Sequence, residues 1–198
     1  MILAEVFDLQ TTSIYESENQ LMAHPASTMA HRVRFAGQLN ECDFDGPYWI
    51  GVKTHDATPS DDSPALYIVR DGRSTLVSYW HFQQAWGSKS FTMEELIDGK
   101  ALGGSWSEHV AAWHDRPHTL TLRYEELVAD TDSQCERIAE FLNVEPKNEF
   151  SQPFEELNQM APTLFRAAED SKNIAEITPH LEMFDEFHGE AMRLLGYY

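Results

Sequence analysis

The sequence predicts an α/β fold in which a parallel sheet is covered by helices on both faces. Three observations lead there. Short apolar runs at residues 49–53, 66–70 and 120–124, each bounded by polar or turn-forming residues, read as buried strands. Helix-opening signals fill the intervals between and after them. Strands that alternate with helices pair in parallel, because each crossover lays a helix on the sheet. The length of 198 residues and the 42% hydrophobic content suit one domain, residues 1–198, large enough to bury a sizeable core.

Taken in order, Ile2, Leu3, Val6 and Leu9 recur at helical spacing, so residues 2–9 read as the latter part of a helix. Residues 10–42 are polar and weakly periodic and read mostly as loop with a helical turn or two. The strand at 49–53 is followed by the Pro-, Ser- and Asp-rich run DATPSDDSPA, an exposed loop. After the strand at 66–70 the chain breaks at Arg70-Asp71-Gly72. It then turns helical over 73–84, with Leu76, Val77, Trp80 and His81 on one side. Thr92-x-x-Glu95 and Ser105-x-x-Glu108 are capping-box signatures, opening helices at about Met93 and Trp106. Residues 120–124 form a third strand, followed by helices at 125–129 and 133–142. Thr178-Pro179 opens the last helix and Gly196 closes it.

Arg70 thus stands at the carboxyl end of a strand, where open α/β sheets bind ligands, and Ser78 follows about two turns into the next helix. A forked guanidinium with a nearby hydroxyl suits a phosphate group. The segment ALYIVRDGRSTLVSYWHF (65–82) resembles the 3′-phosphate-binding segment of sulfotransferases that use 3′-phosphoadenosine 5′-phosphosulfate (PAPS). In that family an Arg and a Ser eight residues later hold the 3′-phosphate, as Arg70 and Ser78 would here. Four further stretches resemble the family in order: YWIGVKTHDA (48–57), GSWSEHVAAW (104–113), LTLRYEEL (120–127) and the C-terminal HGEAMRLLGY.

The resemblance implies the family's three-layer, P-loop-kinase-like fold. It implies His55 as catalytic base, Lys53 at the transferring sulfuryl group, Tyr124 at the adenine, and Arg166 beside the 3′-phosphate. It also implies PAPS as cofactor and a small-molecule hydroxyl or amine as acceptor, with Phe82 and Trp86 as candidate acceptor contacts. A His suits the base because its unperturbed pKa of ~6.5 lies near working pH. In an extended segment Lys53 and His55 point the same way, with Thr54 turned aside.

Two departures stand beside the resemblance. No Pro-x-Ser-Gly-x-Thr phosphate loop occurs in the sequence, and the expectation is an N-terminally truncated form that transfers sulfate poorly or not at all. In TLFRAAEDSKN (163–173) Arg166 is kept, but Ala167 and Ala168 replace a basic residue and a Gly. The alternatives are a non-catalytic relic that binds adenosine 3′,5′-bisphosphate, or a scaffold that serves as an interaction protein.

The formal charge of −19 argues against nucleic acid and against anionic membrane surfaces as partners. An anionic cofactor then needs a local basic pocket, for which Lys53, Arg70, Arg123 and Arg166 are the candidates. Two cysteines suit a reducing cytoplasm, and no apolar run approaches a membrane span. The N-terminus has no basic n-region or usable h-region, so no signal peptide is expected. The spacings of His109, His114 and His118 do not give the i, i+4 pair of helical zinc sites, so no metal is expected. No match to the family's dimer motif is found, which leaves the oligomeric state open.

Overall fold

The computed structural model describes residues 1–14, 42–46, 48–57, 61–87, 90–100, 104–151, 154–160 and 174–198. The chain divides into two compact units that alternate along the sequence: residues 1–55 with 129–165, and residues 56–128 with 166–198.

In the first unit a short helix, α1 (Ile2–Glu5), leads through Asp8, at a left-handed φ of 57°, into strand β1 (Gln10–Ser13). β1 pairs in parallel with β2 (Ile50–Lys53), from Gln10↔Ile50 to Ser13↔Lys53. Two sequence expectations are corrected here. The helix expected over 2–9 stops at Glu5, and a strand stands at 10–13 where a loop was expected. Gln-Thr-Thr-Ser carries no apolar alternation to announce it; its β-branched threonines suit a strand once a partner supplies the ladder. β2 is also less buried than its composition suggests, with Val52 41% exposed.

Further along the first unit, helix α6 (Thr131–Leu142) is capped by the Asp130 side chain, which accepts the Ser133 N–H. Val6, Phe7, Cys135, Ile138 and Leu157 are buried, the last on α7 (Phe154–Met160), a helix not anticipated from sequence. The Val6 carbonyl accepts the N–H groups of Lys147 (2.7 Å) and Asn148 (3.2 Å), which ties the segment after α6 to the N-terminus.

In the second unit β3 (Ala65–Val69) and β4 (Thr119–Arg123) pair in parallel, from Ala65↔Thr119 to Val69↔Arg123. Burial on both faces was expected for β3. Instead Tyr67 and Val69 are buried while Ile68 is 55% exposed, because successive side chains of a strand leave opposite faces and no described residue covers the second.

The core lies on the covered face. It is built by α2 (Gly72–Trp86), α3 (Met93–Ile97), α4 (Trp106–His114) and α8 (Leu181–Leu194), through Leu76, Val77, Leu96, Ile97, Val110, Phe184 and Met192. Full burial of such a side chain contributes roughly 1.5–3 kcal/mol. Both expected capping boxes are formed, at Thr92/Glu95 and Ser105/Glu108. Pro179 opens a 3-10 turn (Thr178–His180) that runs into α8, and Gly196 ends it at a φ of 72°. The short helix α5 (Tyr124–Ala129) follows β4 directly. Arg116 pins the loop before β3 by donating to the Asp61 and Ser63 carbonyls at 2.6 and 2.7 Å.

Candidate functional site

Parallel register brings two of the expected site residues together. β3 and β4 end side by side at Val69 and Arg123, so the next residues, Arg70 and Tyr124, emerge from adjacent strand ends. The Arg70 guanidinium carbon lies 4.7 Å from the centre of the Tyr124 ring, a cation–π contact. Arg70 is half-buried, as is Tyr124.

The turn that follows is locally determined. Asp71 caps α2, accepting the Arg73 N–H at 2.8 Å. Gly72 lets the helix start against the core: a Cβ there would sit 2.9 Å from two Trp106 ring carbons and 3.0 Å from Phe184. Thr75 Oγ1 donates to the Asp71 carbonyl at 3.0 Å and touches that of Arg70 at 3.4 Å. Ser78 is exposed and stands one helical step (i+3) above Thr75, with its Cα–Cβ bond tilted back towards the start of the helix. Ser78 therefore shares a face of α2 with Thr75.

Lys53 and His55 belong to the first unit. Lys53 ends β2, and its carbonyl accepts the Ile14 N–H at 3.2 Å. Lys53 and His55 are exposed and Thr54 between them is half-buried, the alternation expected of extended chain. Desolvation lowers the Lys53 ammonium pKa below the ordinary lysine value. Arg166, Ala167 and Ala168 lie outside the described residues.

Arg123, a candidate for the basic pocket, is otherwise engaged. Its guanidinium carbon lies 4.2 Å from the centre of the Tyr197 ring, and Nη1 is 3.9 Å from Glu126. Phe82 is half-buried and stacks on Tyr79 at 6.2 Å; of Trp86 only the backbone, closing α2, is described. His109 packs between Tyr67 and Trp113, with Nδ1 3.3 Å from the Tyr67 hydroxyl, and burial lowers its pKa. Two neighbours of the pair were not singled out from sequence. Glu125 accepts the Asp71 N–H at 3.0 Å, and the Tyr197 hydroxyl donates to it at 2.8 Å. The Tyr-Glu pair at the end of β4 was the available signal, but it was read for its tyrosine alone.

A guanidinium stacked on an aromatic ring thus stands at the carboxyl ends of two adjacent parallel strands. The chain belongs to the sulfotransferase domain family, whose model matches residues 58–192, more than half of it. Human sulfotransferase 1C2 is 32% identical to it, over 46% of this chain and 36% of the relative. A 3-beta-hydroxysteroid sulfotransferase of Cavia porcellus is 33% identical over 46% of this chain and 34% of its own length. Rabbit (Oryctolagus cuniculus) amine sulfotransferase is 26% identical, over 48% and 34%. The matches thus span about a third of the length of these curated relatives. Among solved structures, mouse sulfotransferase SULT7A1 complexed with PAP shares the fold. Its TM-score is 0.53 at 20% identity, covering 93% of this chain and 83% of that one. Among the described residues no helix is long and apolar enough to cross a membrane.

Proposed function

We propose that the chain carries the machinery of sulfuryl transfer from PAPS to a hydroxyl or amine of a small-molecule acceptor. The observation that carries this reading is the Arg70–Tyr124 pair at the ends of β3 and β4, in a chain of the sulfotransferase family. The pair fits the donor: a guanidinium for a phosphate dianion, an aromatic face for a purine, and the Ser78 hydroxyl as a further donor. PAPS, when bound, supplies the activated sulfuryl group and a phosphate leaving group.

The roles of the residues are those the family resemblance implies, and their chemistry suits them. Arg70 and Ser78 hold the 3′-phosphate, with Arg166 as a second cation for it, and Tyr124 stacks on the adenine. His55 takes the proton from the acceptor hydroxyl or amine, which raises its nucleophilicity. Lys53 holds negative charge on the bridging oxygen; its lowered pKa reflects partial desolvation, which strengthens its attraction for an anion. Family relatives act on steroids and amines by name, and the acceptor here is assigned to the same broad class of small apolar hydroxyls and amines. The reading implies a protein that works in the cytoplasm.

A second reading is favoured by Ala167 and Ala168, which stand where the family carries a basic residue and a Gly. It keeps nucleotide binding through Arg70, Ser78 and Tyr124 without turnover. One experiment separates the two. Adenosine 3′,5′-bisphosphate and adenosine 5′-phosphate are titrated into the chain and its Arg70→Ala variant, and sulfate transfer is then assayed with and without His55→Ala. Charge-assisted hydrogen bonds contribute roughly 1.5–3 kcal/mol, so Arg70→Ala is expected to weaken the bisphosphate about tenfold or more and to spare the 5′-phosphate. Equal losses for both nucleotides would remove Arg70 from the 3′-phosphate. Binding without transfer selects the second reading. Transfer that survives His55→Ala removes His55 as base.

A further inference from the structure

One carboxylate ties together the segments around the Arg70–Tyr124 pair. Glu125 is half-buried in the first turn of α5, directly after Tyr124. Its Oε1 accepts the backbone N–H of Asp71 at 3.0 Å, and Asp71 directly follows Arg70. Its Oε2 accepts the hydroxyl of Tyr197 at 2.8 Å. The ring of Tyr197 in turn lies 4.2 Å from the guanidinium carbon of Arg123, the residue before Tyr124. Both chain neighbours of Tyr124 are thus held by Tyr197, and the chain neighbour of Arg70 is held by Glu125.

Glu125 cannot bind a phosphate itself. A carboxylate and a phosphate both accept hydrogen bonds and repel one another. What a carboxylate can do in this position is hold donors and backbone in register. Burial and the Glu125 acceptor keep the Tyr197 phenol well above the ordinary tyrosine pKa, so its hydroxyl remains a donor.

We propose that Glu125, braced by Tyr197, is a positioning residue of the nucleotide subsite: it locks the β3–α2 turn to the end of β4 and so holds the Arg70 guanidinium over Tyr124. This rests on the nucleotide site proposed above. A preset pair meets the 3′-phosphate and the adenine without first losing rotamer freedom, which raises affinity. Tyr197 thereby becomes part of the nucleotide site although it need not touch the nucleotide.

The test uses the full 198-residue chain with Glu125→Gln, which keeps size and one acceptor but loses the second, and with Tyr197→Phe, which loses only the hydroxyl. Glu125→Gln is expected to weaken adenosine 3′,5′-bisphosphate about tenfold, and Tyr197→Phe several-fold. In an Arg70→Ala background Glu125→Gln should add no more than about a factor of two, because two residues acting through one contact are not additive. Full additivity overturns the proposal and leaves Glu125 as a stabiliser of the fold alone. A ligand-free arm follows the guanidinium ¹⁵N–¹H resonance of Arg70, which should move in both variants. An unmoved resonance also overturns the proposal. If the resonance moves but the unaltered chain binds neither nucleotide, the nucleotide reading falls and the positioning of Arg70 by Glu125 stands.

Discussion

His188 shows what a single buried side chain contributes. It is fully buried among Trp106, Phe184 and Phe187, and its Nδ1 lies 2.8 Å from Ser107 Oγ. Burial drives its pKa down to about 4, outweighing the Ile97 backbone and Glu108, which act the other way. The folded state therefore favours the neutral ring. That stability is fully present above the unfolded-state value of ~6.5 and is lost as pH falls from there through about 4, up to about 3 kcal/mol in all. Urea titrations at pH 7 and pH 4 are expected to show this loss, and His188→Gln should flatten the profile between them; an unchanged profile would place the acid sensitivity elsewhere. Legibility at this scale follows chain proximity. Arg70, Asp71 and Tyr124 could be placed from sequence because strand ends and caps are local events. Glu125 and Tyr197 meet across 72 positions, and nothing in either neighbourhood announces the other.

At the scale of elements, the caps were the most readable features. Both Ser/Thr-x-x-Glu boxes form because the signal and the bonds it makes lie within four residues. The strand at 10–13 was unreadable because its ladder comes from β2, some forty positions away. The exposed face of β3 was unreadable because composition reports apolarity, whereas burial depends on what lies opposite. Gly72 was read as a turn residue, but its main service is space. An alanine there would press on the ring of Trp106 at 2.9 Å, a distance real Cβ atoms essentially never show, and on Phe184 at 3.0 Å, both held in the core. The gain in helix propensity from Gly to Ala is small at a first helical position, while overpacking costs about 1–3 kcal/mol. Gly72→Ala should accordingly lower stability in denaturant titration and weaken nucleotide binding, since the same turn carries Arg70. Unchanged stability would mean that Trp106 moves aside freely.

For the whole molecule, family and fold class were legible, because five motifs in order carry information that no one of them carries. The division into two alternating units was not, since it rests on contacts between distant segments. The order of the units also bears on biosynthesis. Residues 56–128 leave the ribosome long before α8, yet their core needs Phe184, Met192 and Leu195. A growing chain leaves the face of Trp106 and Val110 uncovered until α8 has been made. A nascent chain stalled before residue 181 presents an uncovered apolar face to chaperones.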